Sequence, residues 1–246
     1  MKVSRFRDLT LINQENDKFL VIACDSLGGI GNKPHDVVKV PEEVTGYYTA
    51  RVAVMEVLSI GAEILAVIDT LSVEMEPTGR KIIKGIEKLL GEADIDVTAL
   101  NGSTEENVPT CQTAMGITII GEIKKDDIRA NKSQKGDYVV LLGIPKMGDE
   151  VVNSPDEMCS IKDLRKLLTL GGVKEIYPVG SKGVLYEANH LAKANNTKLK
   201  VKENPKVDLK RSAGPASVVI FTIEEKDFPK LEREIDRPLE VIGQLI

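Results

Sequence analysis

The 246-residue sequence contains no tryptophan, and aromatic residues make up only 4% of it. Its formal net charge at pH 7 is -5. A nucleic-acid groove normally presents a basic face with aromatic side chains on which bases stack. The shortage of aromatic residues and the acidic balance therefore argue against nucleic acid as a partner.

Long apolar runs are absent as well. No segment reaches the roughly 18 consecutive apolar residues of a membrane-spanning helix. The opening stretch, MKVSRFRDLTLINQ, places Arg, Asp and Asn where a secretory signal peptide needs an unbroken apolar core. We therefore expect a cytoplasmic protein with no membrane partner.

Cysteine and histidine are scarce. The three cysteines are widely spaced without a Cys-x-x-Cys pair, and His35 and His190 are far apart in the sequence. Disulfide frameworks and structural zinc sites show closer, paired spacings. The cysteines are therefore expected to be reduced, and a histidine-based triad or zinc site is disfavoured.

Apolar residues make up 42% of the sequence, enough for the core of one large domain or two small ones. The stretch TGRKIIKGIEKLL has the apolar period of a helix, with Thr78 as its expected N-cap. A second helix is expected over residues 45–60. A third is expected to begin at Ser154, with Pro155 at its first position and Glu157 completing a capping box.

Strand patterns occur between these helices. They cover residues 19–24, 37–40, 65–73, 97–100, 116–122, 138–142, 217–223 and 241–246. The polar stretch KKDDIRANKSQKGD has little to bury and is typical of an interdomain linker. The sequence thus predicts a mixed α/β (α+β) protein with domains at residues 1–131 and 132–246.

The stretch KFLVIACDSLGGIGNKPHD is unusual in its glycine content. An apolar strand pattern ends at Asp25, and Gly28, Gly29 and Gly31 follow. An ordinary turn needs one glycine, so three indicate that another group approaches the backbone closely. Neither a Walker loop nor a dinucleotide fingerprint fits, because the glycine spacing differs and Lys33 is not followed by Ser or Thr.

Several further acids stand inside or after apolar segments. Asp69 interrupts AVIDTLSVE, Glu56 has apolar neighbours, and Glu105 and Glu106 follow LNGST. A buried carboxylate without compensation costs several kcal/mol. Asp69 is therefore expected to be paired with a base such as Arg51, hydrogen-bonded by backbone amides, or close to a metal ion.

Each acid also has a purely structural interpretation. Asp25 could cap a turn, Glu56 could be a solvated helix residue, and Glu105 and Glu106 could be loop acids. If these carboxylates converged, each close pair would repel by about 4 kcal/mol at an effective dielectric constant near 20. Divalent cations would remove that repulsion.

The order of these motifs resembles the family of aminoimidazole ribonucleotide synthetase, thiamine monophosphate kinase, selenophosphate synthetase and the hydrogenase-maturation dehydratase. The segments that carry the resemblance are CDSLGGIG, TGYYTARVAVMEVLSIGAEILAVIDTLSVE, LNGSTEENVPT, GITIIGEI and KGDYVVLLGIP. MEVLSIGA resembles the family's Ser-Asp-Leu-Ala-Ala-Met-Gly-Ala, with Glu56 at the position of a metal-binding Asp. Within the family, the likeness is greatest to the α-ribazole kinases.

This resemblance implies a two-domain PurM-like architecture. The N-terminal domain would bind ATP and pair its sheet with that of a second copy into a barrel at a homodimer interface, followed by a C-terminal α/β domain. Mg²⁺ would be held by Asp25, Glu56 and Glu105. ATP would be contacted by Gly28, Gly29, Gly31, Asn101, Gly102, Ser103 and Thr104.

The resemblance also implies an activity. The protein would be an ATP- and Mg²⁺-dependent kinase that phosphorylates a hydroxyl of a nucleoside-like acceptor, such as α-ribazole in cobalamin biosynthesis. Asp69 or Glu106 would accept the hydroxyl proton. The segment with Gly28, Gly29 and Gly31, called the glycine segment below, would close as a flap, and Lys33 would then steady a phosphate. Two alternatives stay open: an amide-activating synthetase of the same family, and a nucleotide-binding module without catalysis.

Overall fold

The computed structural model describes residues 2–246, which form two compact units. The first unit runs up to Leu58 and continues over Ala62–Asp127, and the second combines Ser59–Gly61 with Ile128–Ile246. None of the helices in residues 2–246 has both the length and the apolar character needed to cross a bilayer.

A six-stranded mixed sheet forms the base of the first unit. Its elements in chain order are β1 (Val3–Phe6), β2 (Leu9–Asn13), β3 (Lys18–Gly28), β4 (Ile30–Gly31), β5 (Val38–Lys39), α1 (Glu42–Ser59), β6 (Glu63–Leu71), α2 (Arg80–Glu92), β7 (Leu100–Thr104) and β8 (Ala114–Lys124). The strand order is β1-β2-β3-β8-β6-β7, and β4 and β5 pair separately. The strands β6 and β7 run parallel, whereas the other neighbouring strands of the large sheet are antiparallel. β7 is last in the strand order and is therefore an edge strand.

One face of this sheet is buried, and the two long helices supply apolar side chains to the same core. Val67 and Leu71 of β6 alternate with less buried residues, as the two-residue period of a strand requires. The helices α1 and α2 touch backbone to backbone. A Cβ atom on Gly46 would lie 2.0 Å from the carbonyl oxygen of Ile82, and one on Gly85 would lie 2.0 Å from that of Glu43. Only glycine fits at either position.

The opposite face of the sheet is only half-buried although it is rich in apolar residues. Ile22 of β3, Ile120 of β8 and Ala66 of β6 lie side by side in register on this face. Ile68 lies on the same face two residues further along β6. An apolar sheet face that keeps partial exposure is typical of an interaction surface.

The second unit contains a five-stranded sheet in which all neighbouring strands are antiparallel. Its elements are β9 (Tyr138–Leu142), α3 (Asp149–Asn153), α4 (Ile161–Thr169), β10 (Val173–Pro178), α5 (Val184–Ala194), β11 (Leu199–Val201), β12 (Val219–Ile223), α6 (Phe228–Glu232) and β13 (Leu239–Leu245). The order is β10-β12-β9-β13-β11. Every residue of β12 is buried, so this strand lies in the core.

The predicted α/β fold is confirmed, and three local predictions are wrong. The strand predicted at residues 97–100 is largely absent: a short 3₁₀ turn capped by Asp96 occupies Val97–Ala99, and β7 begins at Leu100. Ser154 makes no capping hydrogen bond and precedes only a single turn, whereas the capping box belongs to Ser160 at the start of α4. The hydroxyl of Thr78 donates to Glu74 and caps no helix.

Candidate active site

One row of the six-stranded sheet places two carboxylates on its buried face. Asp25 of β3 and Asp69 of β6 both pair with Ile117 of the intervening β8. Paired residues share a face and neighbouring strands are about 4.8 Å apart, so the two aspartate backbones are roughly 10 Å apart. The structure therefore brings these two predicted site residues onto one surface.

Asp69 is only 3% exposed. Burial raises the pKa of its carboxyl group to about 6, although a hydrogen bond from the backbone N–H of Ser103 opposes the shift. A backbone amide is thus the partner that the structure shows among the three kinds expected from the sequence. Gly102 lies beside Asp69 in register, and a Cβ atom there would come within 1.9 Å of Asp69 Oδ1. Glycine at position 102 leaves room for this carboxylate.

Asp25 is half-buried near the end of β3. Burial raises the pKa of its carboxyl group, and the backbone N–H of Ser26 lowers it in part. Within residues 2–246 no lysine or arginine forms an ion pair with Asp25. Its oxygens are therefore available to a cation or a hydrogen-bond donor.

Glu56 has a different environment from the other predicted metal ligands. Its carboxylate is engaged by the guanidinium of Arg7, whose side chain is only 4% exposed. Burial raises the pKa of Glu56, and the charge of Arg7 acts in the opposite direction. The solvated-helix interpretation of Glu56 does not hold, because its partner is a buried arginine.

The two acids that follow β7 support the local loop. Glu105 Oε1 accepts hydrogen bonds from the backbone N–H groups of Asn107 (2.7 Å) and Val108 (3.2 Å). Glu106 Oε1 accepts from the N–H of Met75 (2.8 Å) and from the hydroxyl of Thr104 (2.7 Å). Glu106 thereby ties the end of β7 to the turn that precedes α2.

No three Asp, Glu, His or Cys side chains lie close enough to hold a metal ion in the part of the chain that the structure describes. Asp25, Glu56 and Glu105 therefore form no three-carboxylate group. Magnesium in nucleotide sites commonly uses one or two carboxylates together with substrate phosphates. Asp25 fits that more limited role, and the assignment of all three acids to Mg²⁺ stays a prediction.

The glycine segment packs closely on its own chain. Gly29 has a φ of +73°, which favours glycine. A Cβ atom on Gly31 would lie 2.4 Å from Thr113 Oγ1 and 2.9 Å from Asp36 Oδ2. Between this segment and residues 112–114 lies a cavity of about 430 Å³ that is lined partly by Gly28 and Gly29.

Asp36, which the sequence analysis missed, anchors the glycine segment. It is 5% exposed and accepts hydrogen bonds from the N–H and hydroxyl of Thr113, both at 2.7 Å, and from the N–H of Lys33 at 2.8 Å. Burial alone would raise the pKa of Asp36, but these hydrogen bonds outweigh it and hold the pKa below its usual value. No local pattern marks Asp36, because its partner Thr113 is 77 residues away.

Lys33 is held by an acid rather than left exposed. Its ammonium lies 2.6 Å from Glu74 Oε2 and 3.2 Å from the carbonyl oxygen of Thr110, and its side chain is 12% exposed. Burial would raise the pKa of Glu74, but the hydrogen bonds from Lys33 and Thr78 lower it. Lys33 therefore joins the glycine segment to the turn before α2.

Several predicted segments meet at one end of the sheet. Gly28 pairs with Ala114, and Leu71 pairs with both Met115 and Thr104. The glycine segment, the end of β6 and the end of β7 are thus neighbours. Asn101 and Ser103 are exposed on β7, and Asn101 Oδ1 accepts a hydrogen bond from the N–H of Gly102 at 2.9 Å.

Comparison with known proteins agrees with this architecture. Residues 7–123 match the family model described as AIR synthase related protein, N-terminal domain. Thiamine-monophosphate kinase from Stenotrophomonas maltophilia superposes with a TM-score of 0.65 at 19% identity, over 99% of this chain and 88% of that one. The chain therefore has a PurM-like fold, and the match to the AIR synthase related family is confined to residues 7–123.

Two other PurM-like structures carry bound nucleotide analogues. AaThiL complexed with AMPPCP and TMP gives a TM-score of 0.66 at 15% identity, over 97% of this chain and 84% of that one. Thermotoga maritima PurL complexed with AMPPCP gives 0.55 at 16% identity, and the chain spans 37% of its length. No curated protein sequence matches the chain.

Proposed function

We propose that this PurM-like protein is an ATP-dependent kinase that phosphorylates a hydroxyl group of a nucleoside-like small molecule. The observation that carries the proposal is the row of Asp25 and Asp69, which lies on the sheet whose glycine-rich end forms a cavity. The fold that surrounds this row is shared along nearly the whole chain with thiamine-monophosphate kinases. The N-terminal domain, residues 1–131, would carry both the nucleotide site and the dimer contact.

The nucleotide would bind at the glycine segment. A phosphate can approach the backbone at Gly28, where an added Cβ atom would meet nothing within 4 Å. The N–H of Gly29 already donates to the carbonyl oxygen of Thr113 at 2.8 Å. Asp25 would hold Mg²⁺ together with those phosphates, and the ion would neutralise part of their charge. Lys33 would have to leave Glu74 to contact a phosphate, since the two groups are paired at 2.6 Å.

Asp69 suits the role of general base. A carboxyl group with a pKa of about 6 is largely ionised at neutral pH and accepts a proton more readily than an ordinary aspartate. The acceptor's O–H bond breaks as its proton moves to Asp69, and the oxygen forms a bond to the γ-phosphorus. The bond from that phosphorus to the bridging oxygen breaks, and ADP leaves. Glu106 is a weaker choice because its carboxylate already accepts two hydrogen bonds.

We further propose a homodimer formed through the half-buried face of the six-stranded sheet. Ile22, Ile120 and Ala66 would be covered by the same face of a second copy. Light scattering of the wild type and of Ile120→Glu tests this proposal. A dimer that becomes a folded monomer in the variant is expected, and a wild-type monomer contradicts it.

A second candidate function is an amide-activating synthetase. The observation in its favour is that Thermotoga maritima PurL in complex with ATP shares the fold over 97% of this chain, with a TM-score of 0.54. A nucleotide-binding module without turnover is a third, favoured by the engagement of Glu56 with Arg7. The products distinguish all three functions.

The deciding experiment incubates the protein with Mg²⁺-ATP and a nucleoside panel that includes α-ribazole, and reads product masses. A stable phosphorylated nucleoside is expected, and Asp25→Asn should lower its rate by about 100-fold or more. Asp126→Asn, an exposed aspartate outside the row, is the matched control and should keep full activity. Absence of ATP binding in a calorimetric titration with Mg²⁺ would contradict the proposal.

A further inference from the structure

A second cavity lies over the edge of the sheet, between β7 and α2. It encloses about 330 Å³, which suits a small organic molecule. Asp69 contributes to its lining from β6, Ile83 and Glu87 from α2, and Leu100 from β7. We call this space the Asp69 cavity.

The Asp69 cavity has a mixed lining, and its charged groups are acidic. Ile83, Met75, Val97 and Leu100 form the apolar part. The uncharged polar part is formed by Asn101, Gly102, Ser103 and Thr104, which the sequence had predicted to contact ATP. Of the described residues that line it, two are carboxylic acids, Asp69 and Glu87, and none is lysine, arginine or histidine. A ligand with an apolar part and a hydrogen-bond donor would match this lining, whereas an anionic group would meet two carboxylates and no positively charged side chain among the described lining residues.

Asp69 has acceptor capacity left for such a ligand. A carboxylate has about four lone-pair sites, and the N–H of Ser103 is the one hydrogen-bond donor to this carboxylate in the described part of the chain. The residue is 97% shielded from solvent, since only 3% is exposed, yet it borders the cavity. A buried carboxylate with unused acceptor sites and a neighbouring space is arranged to receive a donor from a ligand.

We propose that the Asp69 cavity binds the phosphoryl acceptor, and that this acceptor is an alcohol without a phosphate group, neutral or cationic, whose hydroxyl donates a hydrogen bond to Asp69. The part of this inference that makes the ligand a phosphoryl acceptor rests on the proposed kinase function. The preference for an unphosphorylated ligand rests on the lining alone. It separates this protein from an enzyme that must accommodate a phosphomonoester such as thiamine monophosphate.

The test uses four probes with one apolar body and different head groups: 2-phenylethanol, 2-phenylethylamine, 3-phenylpropionate and benzyl phosphate. Binding is followed by ¹H–¹³C NMR on the methyl groups of Ile83, Val97 and Leu100, which line the cavity. Saturable shifts at millimolar concentrations are expected with the alcohol and the amine. The two anions should bind about tenfold more weakly or not at all.

Two variants assign the binding to this cavity. Asp69→Asn keeps the shape and removes the charge, so the amine should bind more weakly than it binds the wild type, and the affinity of the alcohol should change less. Val97→Phe enlarges a wall residue that is 52% exposed, so it should weaken all probes without disturbing the core. Asp126→Asn should leave every affinity unchanged. Equal binding of benzyl phosphate and 2-phenylethanol, or no methyl shifts with any probe, overturns the inference.

Titration of ATP into the same samples separates the two proposals. If the alcohol and amine bind with the expected preference but ATP does not bind, the cavity assignment stands as a ligand site and the kinase proposal fails. If ATP binds and is turned over while the probes do not discriminate by charge, only the inference about the acceptor fails.

Discussion

Two buried carboxylates, Glu175 of the second unit and Asp69 of the first, lie on strands but have different surroundings. Glu175 is fully buried and accepts hydrogen bonds from the N–H groups of Asn131, Lys132 and Ser133 and from the hydroxyl of Ser133, at 2.5–3.0 Å. Asp69 receives one backbone hydrogen bond and borders a cavity. The first carboxylate organises a loop of its own chain, whereas the second keeps acceptor sites for another molecule.

Asp36 shows that the contrast is one of environment and not of domain. It lies in the first unit, as Asp69 does, yet it accepts three hydrogen bonds and its pKa is lowered rather than raised. We call Glu175 and Asp36 the saturated acids, because each carboxylate accepts at least three hydrogen bonds. Replacing either of them should therefore destabilise the protein, and replacing Asp69 should not. Three substitutions test this ordering.

The largest effect is expected for Glu175→Gln. The amide NH₂ group would face backbone N–H donors, so the free energy of unfolding should fall by about 3 kcal/mol. Hydrogen exchange read by mass spectrometry should show lost protection at residues 131–133. Glu224→Gln, at a surface ion pair whose carboxylate side chain is 43% exposed, is the control and should change stability by less than about 0.5 kcal/mol. Unchanged protection at residues 131–133 would show that Glu175 does not hold this loop in place.

A smaller loss is expected for Asp36→Asn, about 2 kcal/mol, because all three hydrogen-bond donors would lose a charged acceptor and one carboxylate oxygen would become an NH₂ group. Its lowered pKa means that the stabilisation is present above the unfolded-state pKa near 4 and disappears as the pH falls through the folded-state value. Denaturation followed by circular dichroism at pH 7 and pH 3 should therefore show a difference from wild type at pH 7 and a smaller one at pH 3. A difference that grows on acidification would contradict this account.

The smallest effect, of opposite sign, is expected for Asp69→Asn. Since the pKa of Asp69 is raised to about 6, the wild type is penalised for ionising it, and its stability falls as the pH rises from about 4 through 6. The variant should be more stable than wild type at pH 7 by about 1 kcal/mol, after allowance for solvent screening, and equal to it near pH 4. Kinase activity should nevertheless be lost. A variant less stable than wild type at pH 7 would place Asp69 with the saturated acids.

Local sequence patterns predicted those strands and helices whose own residues determine their structure. The strand at residues 138–142 has the predicted bounds because it is a continuous apolar run. The helix α1 differs from its prediction by a few residues, and the predicted stop at Gly61 agrees with the positive φ of that residue. The strand β1 carries Ser and Arg between its apolar residues, and its pairing with β2 supplies what its own sequence lacks. The SPDE sequence predicted a helix too early, since Ser160 and Asp163 form a competing capping box six residues later.

The candidate site was less accessible to sequence reasoning. Asp69 was found because an acid inside an apolar strand is conspicuous, and its neighbour Gly102 belonged to a recognisable loop. The partners of the other residues lie far away along the chain: Arg7 for Glu56, Glu74 for Lys33, and Thr113 for Asp36. Contacts across 41 to 77 residues leave no periodic signal.

The glycine contact between α1 and α2 has a consequence for altering ligand choice. With Gly46 against Ile82 and Gly85 against Glu43, the two helices touch through their backbones and cannot move closer together. A bulkier ligand therefore cannot be accommodated by pushing α2 towards α1. Changing which molecule is recognised should instead start from substitutions of Val97 or Leu100, on the side where the sheet ends at the edge strand β7.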